Sequence, residues 1–142
     1  MQQSAGDGKS TGDRVLIIRP VEADFDDDDR SAAVMNASLK IVAGNDKCKT
    51  VFKTSEYMGG HTHPRWSDAF EYRPYANDKL DLEVYDKTAL SGIIGERFVA
   101  RNTVLIKDLM DKGPGHHVID LISNKHIGKY TGKLVLDLHW RD

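Results

Sequence analysis

The feature that most constrains this chain is an alternation of apolar and polar side chains, with a period of two, that recurs along its length. Successive side chains of an extended strand leave opposite faces, so this pattern buries one face of a sheet and wets the other. Lys79-Leu80-Asp81-Leu82-Glu83-Val84-Tyr85 carries it most cleanly, with Leu80, Leu82 and Val84 on one side and Asp81, Glu83 and Tyr85 on the other. Lys133 to Trp140 repeats it, with Leu134, Leu136, Leu138 and Trp140 as the inward set. Ala37 to Val42 alternates again, Gly44-Asn45-Asp46 makes a tight turn, and Lys47 to Thr54 follows as the partner strand, so residues 37–54 read as a hairpin. Short runs at Arg14–Ile18 (closed by Pro20), Ala69–Tyr72, Ile94–Ala100 and His117–Leu121 complete a set of eight strands. Only Val104 to Lys112 has helical spacing, and Gly113-Pro114-Gly115 stops it. Eight short strands with little helix predict an all-β, antiparallel sandwich in one domain, without internal repeats.

The totals narrow the function. A chain of 142 residues can bury a core without a disulfide or a metal staple. Cys48 is the single cysteine, which suits a reducing compartment. The net charge of -2 argues against a nucleic-acid partner. Met1 to Asp13 is polar and reads as a flexible tail, leaving residues 14–142 as the domain. The tail has no apolar signal-peptide core, no run approaches the roughly 18 apolar residues of a spanning helix, and neither terminus carries a lipidation motif. The expectation is a cytoplasmic monomer whose membrane contact, if any, is peripheral.

Several segments resemble C2 domains. Pro64-Arg65-Trp66-Ser67-Asp68-Ala69-Phe70 resembles their Pro-x-Trp-Asn-Glu-x-Phe signature. Leu82-Glu83-Val84-Tyr85-Asp86-Lys87 is similar to their Leu-x-Val-Tyr/Trp-Asp-x strand and loop, Ile94-Gly95-Glu96 to the opening of the next strand, and Lys49-Thr50 to a recurrent Lys-Thr. Gly132 to Leu138 resembles the Gly-x-Leu-x-Leu-x-Leu strand, which here comes last; that order implies the type II, circularly permuted connection of small single-domain C2 proteins. The resemblance spans about residues 14–140 and implies a module that works by binding at a membrane surface. No catalytic motif is present, so an enzyme is not expected.

C2 domains that bind Ca²⁺ hold it between loops at one end of the sandwich, where carboxylates converge on an ion that prefers 6–8 oxygen ligands. Carried over one position at a time, the resemblance implies a degenerate site of Asp28, Asp29, Asn36, Asp86 and Thr88. Asn36, Thr88 and either Ser91 or Gly92 stand where the family has aspartate. Neutral oxygens do not offset the charge of the ion, so the expectation is weak calcium binding or none, with no cofactor required. The Asp26–Asp29 run also reads as a solvated, self-repelling loop, or as a contact for a protein partner.

Lys40, Lys47, Lys49 and Lys53 lie on the two strands of the predicted hairpin, and the even spacing of the last three sends them to one face. This resembles the lysine cluster with which some C2 domains hold phosphoinositide headgroups. Val34, Met35 and Leu90 are expected at the loop tips that insert into bilayers in that family. The leading expectation is an anionic-phospholipid or phosphoinositide membrane as the partner; the alternative is a protein-interaction module without lipid affinity. His61 and His63, or His116 and His117, lack a second ligand pair at zinc spacing, and Cys48 reads as an ordinary strand thiol. Trp66 and Trp140 are expected in the core.

Overall fold

The computed structural model describes residues 14–25, 36–57, 63–87, 97–123 and 130–141. Eight strands run β1 (Val15–Phe25), β2 (Ala37–Gly44), β3 (Lys49–Lys53), β4 (Phe70–Tyr72), β5 (Lys79–Asp86), β6 (Arg97–Leu105), β7 (Gly115–Ser123) and β8 (Tyr130–Arg141), with one helix, α1 (Ile106–Lys112), between β6 and β7. They are joined in the order β3-β2-β5-β6-β7-β8-β1-β4, every pairing antiparallel. The β6–β7 ladder is only Ala100↔Ser123 and Arg101↔Ile122. At this short ladder the sheet folds over, and its two four-stranded halves face each other across the core. The closing strand β8 lies between β7 and β1, so the Gly132–Leu138 motif sits inside its half of the sandwich.

The alternation is what fills the space between the halves. Leu39 and Ile41 from β2, Leu80, Leu82 and Val84 from β5, and Leu134, Leu136 and Leu138 from β8 are fully buried. Each such side chain stabilises the fold by about 1.5–3 kcal/mol when taken out of water. Phe52, Phe70, Tyr72 and Trp140 pack against this cluster while remaining partly exposed. Trp66 is buried to 9% exposure and its indole Nε1 donates to the Ala37 carbonyl at 3.0 Å, which pins the segment before β4 to the start of β2. It lies outside the named strands, in an extended segment that bonds to β1 through Trp66 N to Val21 O and Ala23 N to Pro64 O.

Three expectations are corrected. β1 does not stop at Pro20 but continues to Phe25. The β8 register passes from Pro20↔Leu136 to Glu22↔Val135, leaving Val21 as an extra residue. The bulge absorbs the proline, which has no N–H to give a ladder, and it switches the phase of the strand. Leu16, Ile18 and Pro20 face inward before it, and Ala23 and Phe25 after it. β6 runs on to Leu105, and the helix begins only at Ile106. Lys47 and Cys48 lie in the β2–β3 turn, not in β3, because the Asn45 side chain accepts the backbone N–H of both, at 2.9 and 3.2 Å, and holds the chain bent. Ile94-Gly95-Glu96 and the tail before Arg14 lie outside the described residues.

One pole of the sandwich is organised by Asp78, whose residue is 1% exposed. Its Oδ2 accepts the Tyr72 hydroxyl at 2.6 Å and the Tyr75 N–H at 2.8 Å, and its Oδ1 accepts the Asn45 amide at 2.8 Å. Its backbone carbonyl accepts the N–H of Ile106, the first residue of α1. Burial first, then the hydrogen bond to Asp78 and that carboxylate's charge, push the Tyr72 phenol well above its ordinary value near 10.

A pKa raised by folding stabilises the native state fully below the unfolded value and loses that contribution as pH climbs toward the folded value. Stability should therefore decline above about pH 10, and Tyr72→Phe should flatten that alkaline limb in urea titrations at stepped pH. In the core, Leu136→Ala should cost about 2–5 kcal/mol, read as a lower urea midpoint at unchanged slope.

Candidate functional site

Cross-strand register assembles one outward face on β3, β2, β5 and β6. Lys53 stands opposite Lys40, Lys40 opposite Glu83, and Glu83 opposite Arg101. The next row is Val51, Val42, Asp81 and Thr103, and the row beyond is Lys49, Gly44, Lys79 and Leu105. Directly opposed side chains share a face of the sheet. This surface therefore carries Lys40, Lys49, Lys53, Lys79 and Arg101 against Asp81 and Glu83. Lys40 Nζ lies 4.0 Å from Glu83 Oε1, a half-exposed contact of small energetic weight. Val51, between the two lysines of β3, is 58% exposed.

Of the four lysines expected to form this face, register unites Lys40, Lys49 and Lys53; Lys47 is exposed at the turn beside them. Lys79 and Arg101 were missed. Their signal was present as alternation with Asp81 and Glu83, but which strands neighbour the hairpin is a matter of topology.

At the opposite end of the sheet lie the stems of the loops expected to bind calcium. Asp28, Asp29, Thr88, Val34, Met35 and Leu90 lie outside the described residues. Asp86 is described and is 3% exposed. Its Oδ1 accepts the Asn36 N–H at 3.0 Å, while the Asn36 carbonyl accepts Lys87 N–H at 3.1 Å. Register also pairs Ala37 with Asp86 and Asp86 with Arg97, so this residue joins three chain segments at one end. Lys87 follows it directly, with its ammonium 3.4 Å from Glu56. Among the described residues no group of three or more His, Cys, Asp or Glu side chains is arranged to hold a metal ion. Of the five positions expected to hold calcium, only Asn36 and Asp86 are described.

The described histidines have local partners. His63 contacts Glu22 at 3.3 Å and Asp24 at 3.6 Å, His117 Nε2 donates to the Gly113 carbonyl at 2.8 Å, and Asp137 lies between His116 and His139. Cys48 is exposed. No described helix is long and apolar enough to cross a membrane.

Comparison with solved structures identifies the fold. A C2 domain of plant extended synaptotagmin 1 superposes with a TM-score of 0.66 at 19% identity, over 91% of this chain and 95% of that one. A C2 domain-containing protein from a putative elicitor-responsive gene gives 0.67 at 16% identity, over 96% and 93%. The tandem C2 domains of extended synaptotagmin 2 give 0.68 at 18% identity, over 99% of this chain and 45% of that one. The sandwich is a C2 fold. No family model matches the sequence, and no curated protein matches it.

The Asp86 clasp has a direct test. Asp86→Ala should cost about 1–3 kcal/mol by leaving the Asn36 N–H without its acceptor. Asp86→Asn, which keeps an oxygen at Oδ1, should cost less, as measured by thermal or urea unfolding.

Proposed function

We propose that this chain is a C2 module that binds anionic phospholipid surfaces through the outward face of β3-β2-β5-β6, without calcium and without catalysing a reaction. The observation that carries the reading is the register that gathers Lys40, Lys49, Lys53, Lys79 and Arg101 on one side of a four-stranded layer. Each basic residue held near an anionic leaflet contributes about 1 kcal/mol, so such a face binds usefully yet reversibly. The attraction is screened within about 8–10 Å at physiological salt, which suits contact at a surface. A lysine-bearing sheet face of this kind also agrees with what the C2 resemblance implies.

Calcium independence is supported by the Asp86 carboxylate, which serves a backbone N–H from the neighbouring loop stem. A buried clasp of this sort needs no ion to hold the stems together. The C2 fold by itself fixes no activity, so the reading rests on the charged face and not on the fold.

Co-sedimentation with neutral, phosphatidylserine and phosphoinositide vesicles, each in excess calcium and in chelator, tests it. Binding to the anionic vesicles should persist in chelator and weaken as salt is raised. The double variant Lys49→Glu/Lys53→Glu should lose about tenfold or more in vesicle affinity while its melting curve stays close to wild type. Sedimentation in calcium alone would overturn the calcium-independent mechanism. Absence from every pellet would remove the membrane reading and favour a protein partner.

A further inference from the structure

The outward face is not uniformly basic. Around Gly44 it sinks into an open hollow of about 600 Å³, flanked by Lys49, Lys79, Val42, Asp81 and Thr103, with Asp46 also on its lining. The hollow exists because the row Lys49, Gly44, Lys79 has no side chain at its centre. Glycine is fixed there for a backbone reason: its φ is +143°, and a Cβ would lie 2.1 Å from the Cys48 carbonyl oxygen.

The charges in the hollow are balanced and unjoined. Lys49, Lys79, Asp46 and Asp81 all line it, yet none of the four has an ion-pair partner among the described residues. Asp81 is instead held by a neutral group, the Thr103 hydroxyl donating to its Oδ1 at 2.5 Å, which leaves its second oxygen for another donor. An anion is held here by the two lysines, but the neighbouring carboxylates offset part of that attraction. A ligand that carries both signs satisfies both sets.

Resting on the membrane reading above, we infer that this hollow takes the headgroup of a zwitterionic phospholipid with a primary ammonium, of the phosphoethanolamine class. The phosphodiester lies against Lys49 and Lys79, and the ammonium donates to Asp81. Lys79 and Asp81 are two positions apart on one strand, about 7 Å along it. The two-carbon link of the headgroup and the reach of a lysine side chain together bridge that span. A trimethylated ammonium has no N–H to give a carboxylate, so the hollow separates ethanolamine from choline lipids although both headgroups are neutral overall. The rest of the face, with Lys40, Lys53 and Arg101, supplies the general attraction to anionic lipid.

The test compares co-sedimentation with phosphatidylcholine vesicles of constant phosphatidylserine content that also carry a fixed share of phosphatidylethanolamine, its monomethyl or its dimethyl derivative, or further phosphatidylcholine. Affinity should fall stepwise as N–H groups are removed, by about tenfold across the series, the range of one charge-assisted hydrogen bond. Asp81→Asn keeps an oxygen for Thr103, so the protein should fold normally but lose the stepwise dependence. Its binding to phosphatidylserine vesicles should hold or rise. Equal binding across the methylation series, or a series unchanged by Asp81→Asn, overturns the inference while leaving anionic binding, and hence the general reading, intact. Loss of all vesicle binding overturns both. Titration with soluble glycerophosphoethanolamine and glycerophosphocholine supplies the remaining arm. Selectivity for the soluble compound without selectivity among vesicles would overturn the assignment to a lipid.

Discussion

A carboxylate taken out of water is costly unless its lone pairs find donors, and the pole of this sandwich is arranged around one that does. Asp78 receives a phenol from β4, a backbone N–H from the turn after it, and an amide from the β2–β3 turn, while its carbonyl receives the start of α1. Segments that are distant in sequence are thereby held to one point. The consequence reaches the lysine face. Asn45 is bonded to Asp78 through its amide and to the Lys47 and Cys48 N–H groups through its oxygen, so the same side chain shapes the turn that leads into Lys49. Asp78 also directly precedes Lys79. The two lysines that flank the hollow are placed from opposite sides by one buried group.

The two ends of the sandwich use related devices for different tasks. Asp78 gathers connections at one end, and Asp86 joins loop stems at the other by accepting the Asn36 N–H. Both are carboxylates on or beside β5, a central strand whose inward leucines are fully buried and whose outward residues face solvent. A C2 fold whose loop stems are joined by a protein hydrogen bond can present its sheet face in a fixed form. The proposed binding thus depends on the middle of the sandwich and its register, where the backbone is most constrained, more than on its loops.

Much of this architecture is legible in the sequence because alternation and sandwich geometry share one period. Leu80, Leu82, Val84, Leu134, Leu136 and Leu138 all turn inward as their spacing implies. What spacing alone does not carry is a change of phase. Pro20 looks like the end of a strand, but the extra residue at Val21 lets β1 continue with its inward positions shifted from even to odd numbers. A hairpin is likewise a local object and could be read from Gly44-Asn45-Asp46, whereas its neighbours are not. Lys79 and Arg101 join the lysine face only because β5 and β6 follow β2 in the sheet, a relation set by packing between distant segments. Asp78 gave no sequence signal either, since its partners Tyr72, Tyr75 and Asn45 become adjacent only after the chain has folded.

The seam between the two edge strands behaves differently from the rest. β3 and β4 end the strand order, and across the gap Phe52 stacks on Phe70 with centroids 5.0 Å apart and meets Tyr72 edge-on at 6.3 Å. Elsewhere neighbouring strands are joined by backbone ladders, down to two residue pairs between β6 and β7. Here the closure is by side chains, the rings and the Asp68 carboxylate that accepts from Ser55. Each ring pair adds only about 0.5–1.5 kcal/mol beyond its buried area. A cylinder sealed on one side by side chains has a preferred line of parting. Excursions that open it run along this zipper of rings, so amide protons of β3 and β4 exchange with solvent earlier than those of β5 and β8. β3 is also an edge of the lysine face, so the face proposed to bind lipid is carried partly on a strand that borders this seam.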